Sequence, residues 1–234
     1  MKVWEGPSKH DGKTVFVCMS SLHTKSTNTK TDDMASGNTL LKDTKPNEAV
    51  KTGEDESVCG GCILKPLVWV QSTDPNKPEE PCYVRVMHFP LSTWEKNHDQ
   101  PVETLDEISK PLRIGGYGDP AMVPVWVWQY LTRLAKKWTG YTHDGWKPEA
   151  KAYTPELRHL VMASCETPEQ ARQAQSQGWR TFRTRGKDDP ILPNEISCPA
   201  SAEAGKRTNC RTCLLCDGKT GPNDKRKNIT IISH

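Results

Sequence analysis

The sequence has no long hydrophobic run and almost no excess of charge of either sign. No segment reaches the ~18 consecutive apolar residues that a membrane-spanning helix needs, and the mean hydropathy is −0.73. The first residues, MKVWEGPSKHDGK, are polar and lack the apolar centre of a signal peptide. A formal net charge of +3 is too small to indicate nucleic-acid binding by itself. We therefore expect a cytoplasmic protein that does not bind a membrane.

Two common catalytic motifs are also missing. There is no GxGxxG and no Lys-Ser/Thr pair after a glycine-rich turn, which excludes a phosphate-binding loop. There is no HExxH or H-x-E unit, so a zinc hydrolase is not favoured. Cysteine is abundant instead, at nine residues in a chain of 234. In a reducing compartment, that number indicates metal ligands rather than disulfides.

The pattern of apolar residues predicts an α/β fold with a mostly parallel sheet, because strands alternate with helices from residue 110 onward. We expect strands over 13–20, 111–117, 138–143, 159–164, 179–184 and 228–234, and helices over 124–137 and 167–178 with two short ones near 93–96 and 102–108. The chain is divided into an N-terminal strand (1–20), a polar loop or disordered segment (21–56), a β/α unit (57–186) and a cysteine-rich tail (187–234).

The tail carries the strongest chemical signal. Cys210, Cys213 and Cys216 are separated by two residues each, and Cys198 lies twelve residues before them. Two-residue gaps in series resemble the ligand run of ferredoxins, whereas zinc ribbons more often use two separated pairs. The tail has little else to fold around, so a metal would supply its folding free energy. We expect a metal centre here, either zinc or an iron–sulfur cluster.

A second group of thiols comes earlier in the chain, at Cys59-Gly-Gly-Cys62 and at Cys82. A 4Fe–4S cluster on three thiolates would leave one iron open to a further ligand, as catalytic zinc sites leave one position open. The alternative is a structural zinc site completed by a histidine such as His88, or by the C-terminal set. A redox pair is less favoured, because the pair does not follow a strand at the start of a helix.

A glycine-rich segment ends the strand at 111–117. Gly115, Gly116 and Gly118 can let backbone approach a ligand closely, and Asp119 can accept hydrogen bonds from a ribose, an amino group or a substrate. The alternative role for Asp119 is to cap the following helix.

His143 ends the next strand, and Glu166 and Arg183 end the strands after it. Strand ends converge at one edge of a parallel sheet, so His143 is a candidate for proton transfer or ligand binding. Cys18 and Cys165 lie within apolar strands and are interpreted as buried, small hydrophobic residues. The tail is also basic, which suits a nucleic-acid phosphate or, alternatively, a solvated loop; its cations are Lys206, Arg207, Lys219, Lys225, Arg226 and Lys227.

Taken in order, these motifs resemble a known group of proteins. The motifs are Cys82-Tyr83, the Arg-x-Gly-x-x-Gly-Asp strand end at 113–119, the Tyr-Thr-His strand end at 141–143, and the cysteine-rich tail. Over roughly 55–234 the chain is similar to uncharacterised bacteriophage and plasmid proteins that resemble radical S-adenosylmethionine (SAM) enzymes. That resemblance implies a partial (β/α) barrel, a 4Fe–4S cluster on three cysteines, and SAM at the open iron, where its cleavage yields a radical that abstracts hydrogen from a substrate.

The resemblance also implies roles for particular residues. Cys59, Cys62 and Cys82 would hold the catalytic cluster, Tyr83 would flank it, and the four tail cysteines would hold an auxiliary centre. Gly115, Gly116, Gly118 and Asp119 would face SAM, with Asp119 and His143 as catalytic candidates. The cysteine spacing departs from the family, with two and then nineteen residues between ligands instead of three and then two.

Two functional hypotheses follow. The first is an iron–sulfur protein of radical-SAM-like type with an unknown substrate, in the host cytoplasm if a phage encodes it. The second is a non-enzymatic zinc protein that binds nucleic acid, through the basic tail, or a host protein.

Overall fold

The computed structural model describes residues 1–26, 28–65, 82 and 84–233. These residues form an α/β fold around one nine-stranded sheet of order β1-β2-β3-β4-β5-β6-β7-β9-β8. The sheet does not close on itself, and it is parallel from β3 onward. The predicted α/β class and mostly parallel sheet are therefore confirmed, and the open sheet is consistent with a partial barrel.

An antiparallel meander begins the sheet. It comprises β1 (Lys2–Pro7), β2 (Thr14–Ser20) and β3 (Ala35–Leu41). The middle of β2, from Val15 to Met19, is rich in β-formers and fully buried, because the strand is paired on both sides. The predicted strand over 13–20 is confirmed.

The parallel part of the sheet carries the βα units. Its strands are β4 (Leu112–Ile114), β5 (Trp138–Thr142), β6 (Met162–Cys165), β7 (Thr181–Arg185), β8 (Glu195–Ser197) and β9 (Asn228–Ile232). The last strand inserts between β7 and β8. A strand that is covered on both faces is expected to have few polar residues. All four residues of β6 are buried.

In the described residues, six short helices lie between the strands, together with 3₁₀ turns at Pro120–Met122 and Pro155–His159. The helices are α1 (Pro46–Thr52), α2 (Glu56–Cys59), α3 (Phe89–Asn97), α4 (Val125–Ala135), α5 (Pro168–Ser176) and α6 (Cys210–Cys213). The predicted helices over 124–137 and 167–178 are confirmed as α4 and α5. Thr167 caps α5 by accepting a hydrogen bond from the Gln170 backbone, as expected from its position.

The prediction of one polar loop over 21–56 was wrong. This segment contains β3 and α1, and α2 begins at its end. Ser36, Gly37 and Asn38 are weak strand formers, but all three pair with β2, Ser36 and Gly37 also pair with β4, and Gly37 and Asn38 are buried. The division of the chain into four segments otherwise stays a prediction.

The predicted helix over 102–108 is also absent from the structure, where these described residues are extended or irregular. Long-range hydrogen bonds compete with the helix: Tyr130 Oη bonds both the N–H and the carbonyl of Leu105, and the Glu103 N–H donates to the Lys2 carbonyl. In the described part of the chain, no helix is both long and apolar enough to span a bilayer.

The tail packs on one face of the parallel strands. Met162, Ile229 and Ile231 form a small core with Cys198 and Cys216. Buried Arg180 holds the tail in place by donating to the carbonyls of Leu215 (2.6 Å) and Lys227 (2.8 Å). The tail is thus an integral layer of the fold.

Candidate functional site

The loop that carries the CxxC sequence is bound to the carboxyl edge of the parallel strands. The Asp119 N–H, in the loop after β4, donates to the Val58 carbonyl at 2.7 Å. The Gly61 N–H donates to Oδ2 of Asp144, in the loop after β5, at 2.8 Å. These two bonds place Cys59 and Cys62 beside the strand ends, where parallel sheets bind ligands.

Asp119 organises this edge. Its Oδ1 accepts hydrogen bonds from the Ala121 N–H (2.9 Å) and Thr142 Oγ1 (2.6 Å), and its Oδ2 accepts from the backbone of His143 (2.6 Å) and Asp144 (3.1 Å). The helix-cap role is confirmed, since Asp119 caps the 3₁₀ turn. Because four protein donors already use this carboxylate, it fixes the position of His143. Its predicted catalytic role stays a prediction.

The glycines before Asp119 let protein segments approach one another. A Cβ at Gly116 would overlap Ser36 Oγ, and a Cβ at Gly118 would lie 3.0 Å from the Val58 carbonyl. Gly115 and Gly118 also have φ values of +66° and +77°, which other residues rarely adopt. This packing explains the three glycines structurally, and their contact with SAM stays a prediction.

Cys59, Cys62 and Cys82 come together at this edge. Burial raises the pKa of Cys59 well above its usual value, and the neighbouring Cys62, Asp55 and Cys82 raise it further. Burial also raises the pKa of Cys82, while the backbone N–H of Val84 donates to its sulfur. Thiols separated by about twenty residues in sequence thus affect the pKa of Cys59, and a shared metal site stays a prediction. Tyr83 lies outside the described residues.

His143 lies beside these thiols and His88 does not. Its Nδ1 is 3.2 Å from Glu166 Oε1, and Cys62 lies near enough to act on the imidazole electrostatically. Burial lowers the pKa of His143, but Cys62 and Glu166 together raise it well above its usual value. His88 is exposed and precedes the first turn of α3. If a histidine completes the thiol set, the geometry therefore favours His143.

Several buried polar atoms around the thiols have no hydrogen-bond partner. They are Asp55 Oδ1, Tyr117 Oη, His143 Nδ1, Asp144 Oδ1 and Glu166 Oε2. Burial raises the pKa of Tyr117 well above its usual value, and the neighbouring Cys59, Asp55 and Cys82 raise it further. Unpaired buried polar atoms are rare, and several at one place are typical of a site that binds an ion or ligand.

Three of these residues were missed by the sequence analysis. Tyr117 lies inside the glycine motif and Asp144 directly follows His143. Their position next to predicted site residues could have indicated both of them. Asp55 lies in a polar segment that predicts no site, and only the docking of α2 reveals its position beside Cys59.

The tail cysteines form a second group on the sheet face. Asn209 caps α6 by accepting from the Thr212 N–H, and Leu214 adopts a left-handed conformation that turns the chain toward Cys216. Burial raises the pKa of Cys216 to about 12; hydrogen bonding from Tyr141 lowers it, and Cys198 and Cys210 raise it. Cys213 in turn contributes to raising the pKa of Cys198. The four thiols thus lie near enough to affect one another's pKa values, and a metal centre on them stays a prediction.

The surroundings of the tail cysteines are more positive than those of the first group. The Arg113 guanidinium lies 4.6 Å from the Tyr141 ring centre and lowers the pKa of Cys210, which burial raises. Lys30 acts in the same direction, and its carbonyl accepts a hydrogen bond from the Cys210 N–H. Nearby cations stabilise thiolates.

The fit of a metal was tested on these two groups. Within residues 1–26, 28–65, 82 and 84–233, no three Cys, His, Asp or Glu side chains converge as they would around one bound ion. Three features do suit thiolate ligation. The donors are thiols, the thiols affect one another's pKa values, and backbone N–H groups are directed at Cys82 and Cys198. The donor types suit a thiolate-bound metal, but the described side chains are not arranged around one, so a metal centre stays a prediction.

The basic tail residues are partly engaged within the protein. Arg226 pairs with Asp217 (2.5 Å) and Asp224 (2.7 Å), which raises the pKa of the guanidinium. Lys227 Nζ donates to the Pro193 carbonyl. These contacts reduce the positive charge that the tail offers to a nucleic acid.

Comparison with known proteins identifies no relative. No family model, no curated protein and no solved structure matches this chain.

Proposed function

We propose that this chain is an iron–sulfur protein of radical-SAM-like type. The observation that carries the proposal is that Cys62 and Cys82 lie near enough to Cys59 to raise its pKa, beside the carboxyl edge of a parallel, open β/α sheet. Three thiolates can hold a 4Fe–4S cluster with one iron left for a further ligand, which supplies redox chemistry to that ligand. The four tail cysteines provide a second, fully ligated centre of iron–sulfur or zinc type.

The residues of the chain have distinct roles in this proposal. Asp119 and Asp144 hold the cysteine loop and the loop after β5 against each other. Tyr117 and Asp55 face the thiols with unpaired oxygen atoms that can bind polar groups of a ligand.

The direct test is anaerobic reconstitution with iron and sulfide. We expect visible charge-transfer absorbance, iron and sulfide in stoichiometric amounts, and cleavage of added SAM to 5′-deoxyadenosine. Cys59→Ser should remove part of the iron and all SAM cleavage. Cys18→Ala is the matched control, since it removes a buried thiol outside both groups. A reconstituted protein that lacks absorbance and cleaves no SAM would refute the proposal.

A second candidate is a zinc protein that binds nucleic acid or a host protein. The effect of Cys62 on the pKa of His143 favours it, because it places a histidine near the thiols, and three cysteines and one histidine are a common structural zinc set. This candidate predicts a colourless protein with stoichiometric zinc after purification without air. It also predicts nucleic-acid binding that weakens as salt increases. Iron with sulfide in the purified protein would exclude it.

A further inference from the structure

We propose that the amino edge of the parallel sheet binds the phosphate backbone of a single-stranded nucleic acid. Five neighbouring strands, β4, β5, β6, β7 and β9, each have a Lys or Arg within the four residues before them. In strand order, these amino-edge cations are Lys110, Lys136, Lys137, Arg158, Arg180, Lys225, Arg226 and Lys227. Neighbouring strands lie ~4.8 Å apart, so the row is about 20 Å long. The surface lies at the opposite edge from Cys59 and Cys62, and the proposal does not depend on a metal there.

The tail adds one more cation to this row. The Lys219 N–H donates to the Arg158 carbonyl at 2.7 Å, and the Lys219 carbonyl lies 3.1 Å from His159 Nδ1. Gly218 permits this close approach, because a Cβ there would lie 2.8 Å from the Arg158 carbonyl oxygen. The backbone of Lys219 is therefore held beside Arg158, before the start of β6.

Some of these cations are paired inside the protein and others are not. Lys110 pairs with Asp33, and both Arg180 and Arg226 pair with Asp217. The cations of this edge that make no ion pair with any described residue are Lys136, Lys137, Arg158, Lys219, Lys225 and Lys227. All six are exposed or partly exposed. A polyanion can contact them without breaking an ion pair of the described fold.

The opposite edge of the same strands carries acidic residues. Asp119, Asp144 and Glu166 follow β4, β5 and β6, and Asp188 and Asp189 follow β7. Charge is thus separated along the strand direction, although the net charge of the whole chain is only +3. Such a field directs a polyanion to the amino edge and away from the carboxyl edge.

The backbone at Lys136 is a second observation that points to this edge. Lys136 ends α4 in the left-handed conformation, with a φ of +61°. Glycine is the usual residue at such a helix end, because a side chain is strained there. The Lys136 side chain is exposed and makes no hydrogen bond or ion pair with a described residue. Strained residues are often found at functional sites, and a strained lysine without an internal partner suits contact with an external anion.

A nucleic-acid strand suits this surface better than a folded acidic protein does. Its phosphates repeat along a line, as the cations of the row do. Trp138 follows Lys137 and is partly buried, and its Nε1 donates to the Leu160 carbonyl at 2.8 Å. This bond holds the indole between the segments that precede β5 and β6. Aromatic rings among cations are typical of surfaces that bind single strands, where bases stack on the rings.

The experiment measures binding of the full chain to a fluorescently labelled oligothymidylate of about 16 nucleotides by anisotropy. Two double variants remove the same charge. Lys136→Gly with Lys137→Ala changes the amino edge, whereas Lys51→Ala with Lys187→Ala removes exposed lysines of α1 and of the loop after β7. The first variant should remain folded, as circular dichroism can establish, because glycine suits the left-handed backbone at position 136.

The salt dependence of binding gives the expected result. Each lost phosphate contact lowers the slope of log affinity against log salt by about 0.7, so the amino-edge variant should lose about 1.4. At 0.1 M salt this corresponds to roughly 25-fold weaker binding if the affinities meet at 1 M. The control variant should keep the slope of the parent. Lys219→Gln should lower the slope by about 0.7, and it provides the same test if the first variant unfolds.

Three outcomes would overturn the proposal. The parent chain could fail to bind the oligothymidylate in a salt-sensitive way, or the two double variants could lower the slope equally. Polyglutamate could also compete as well as unlabelled oligothymidylate, which would assign the surface to an acidic protein instead.

Discussion

Asp119→Asn tests how the carboxyl edge is assembled. The carboxylate accepts four hydrogen bonds, two at each oxygen, from the loops after β4 and β5. An asparagine keeps one acceptor oxygen, so two bonds are lost and an N–H₂ group faces two donors. Hydrogen bonds to a charged acceptor contribute about 1.5–3 kcal/mol each, which predicts a loss of roughly 3–6 kcal/mol in the free energy of unfolding.

Urea denaturation of the metal-free protein measures this loss. With a slope of about 3 kcal/mol per molar urea, the midpoint should fall by roughly 1–2 M. Asp106→Asn is the matched control, because Asp106 is exposed. Asp119→Asn should also weaken metal binding at the first thiol group, because His143 loses its backbone anchor. A midpoint within about 0.3 M of the parent, which corresponds to about 0.9 kcal/mol at this slope, would refute the reasoning.

Three further predictions concern stability. Glu195→Gln breaks the buried, bidentate pair with Arg183 (2.8 and 2.7 Å) and should lower the free energy of unfolding, measured by urea denaturation, by about 3–5 kcal/mol. Glu169→Gln, in an exposed pair, should cause no measurable change. Equal effects of the two substitutions would contradict this prediction. Burial raises the pKa of Asp55 to about 6, so the protonated carboxyl contributes stability below pH ~4 that is lost as pH rises through about 6. Asp55→Asn should therefore stabilise the metal-free protein at neutral pH and have no effect below pH ~4. An effect that does not change with pH would contradict this prediction. Anaerobic chelation should expose the segment 198–227 to limited proteolysis before the sheet, and simultaneous cleavage of both would argue against a metal-stabilised tail.

Apart from β8, which no predicted strand covers, the parallel half of the fold was predictable from sequence because its signals are local. The helix over 125–135 has an apolar stripe ending at Ala135, and α5 begins with the cap at Thr167. The strand over 35–41 was not predictable, since Gly37 and Asn38 become β structure only through pairing with β2 and β4. Tertiary pairing overrides local preference in such strands.

Some features of the candidate site were likewise predictable from sequence, and others depended on the fold. The spacing of the cysteines is visible in the sequence, and so is the position of His143 at a strand end. Which histidine approaches the thiols was not visible, because His88 is nearer to Cys82 along the chain and only the fold brings His143 to Cys62. The full use of Asp119 by protein donors likewise depends on the loop after β5.

The insertion of β9 between β7 and β8 has a consequence for synthesis on the ribosome. β8 has β9 as its strand neighbour, and β9 is translated some thirty residues later. Until then β8 has no partner, and one edge of β7 stays open to pairing with other nascent chains. The tail cysteines emerge in this interval, so metal delivered early could hold the segment in place while the final strand arrives.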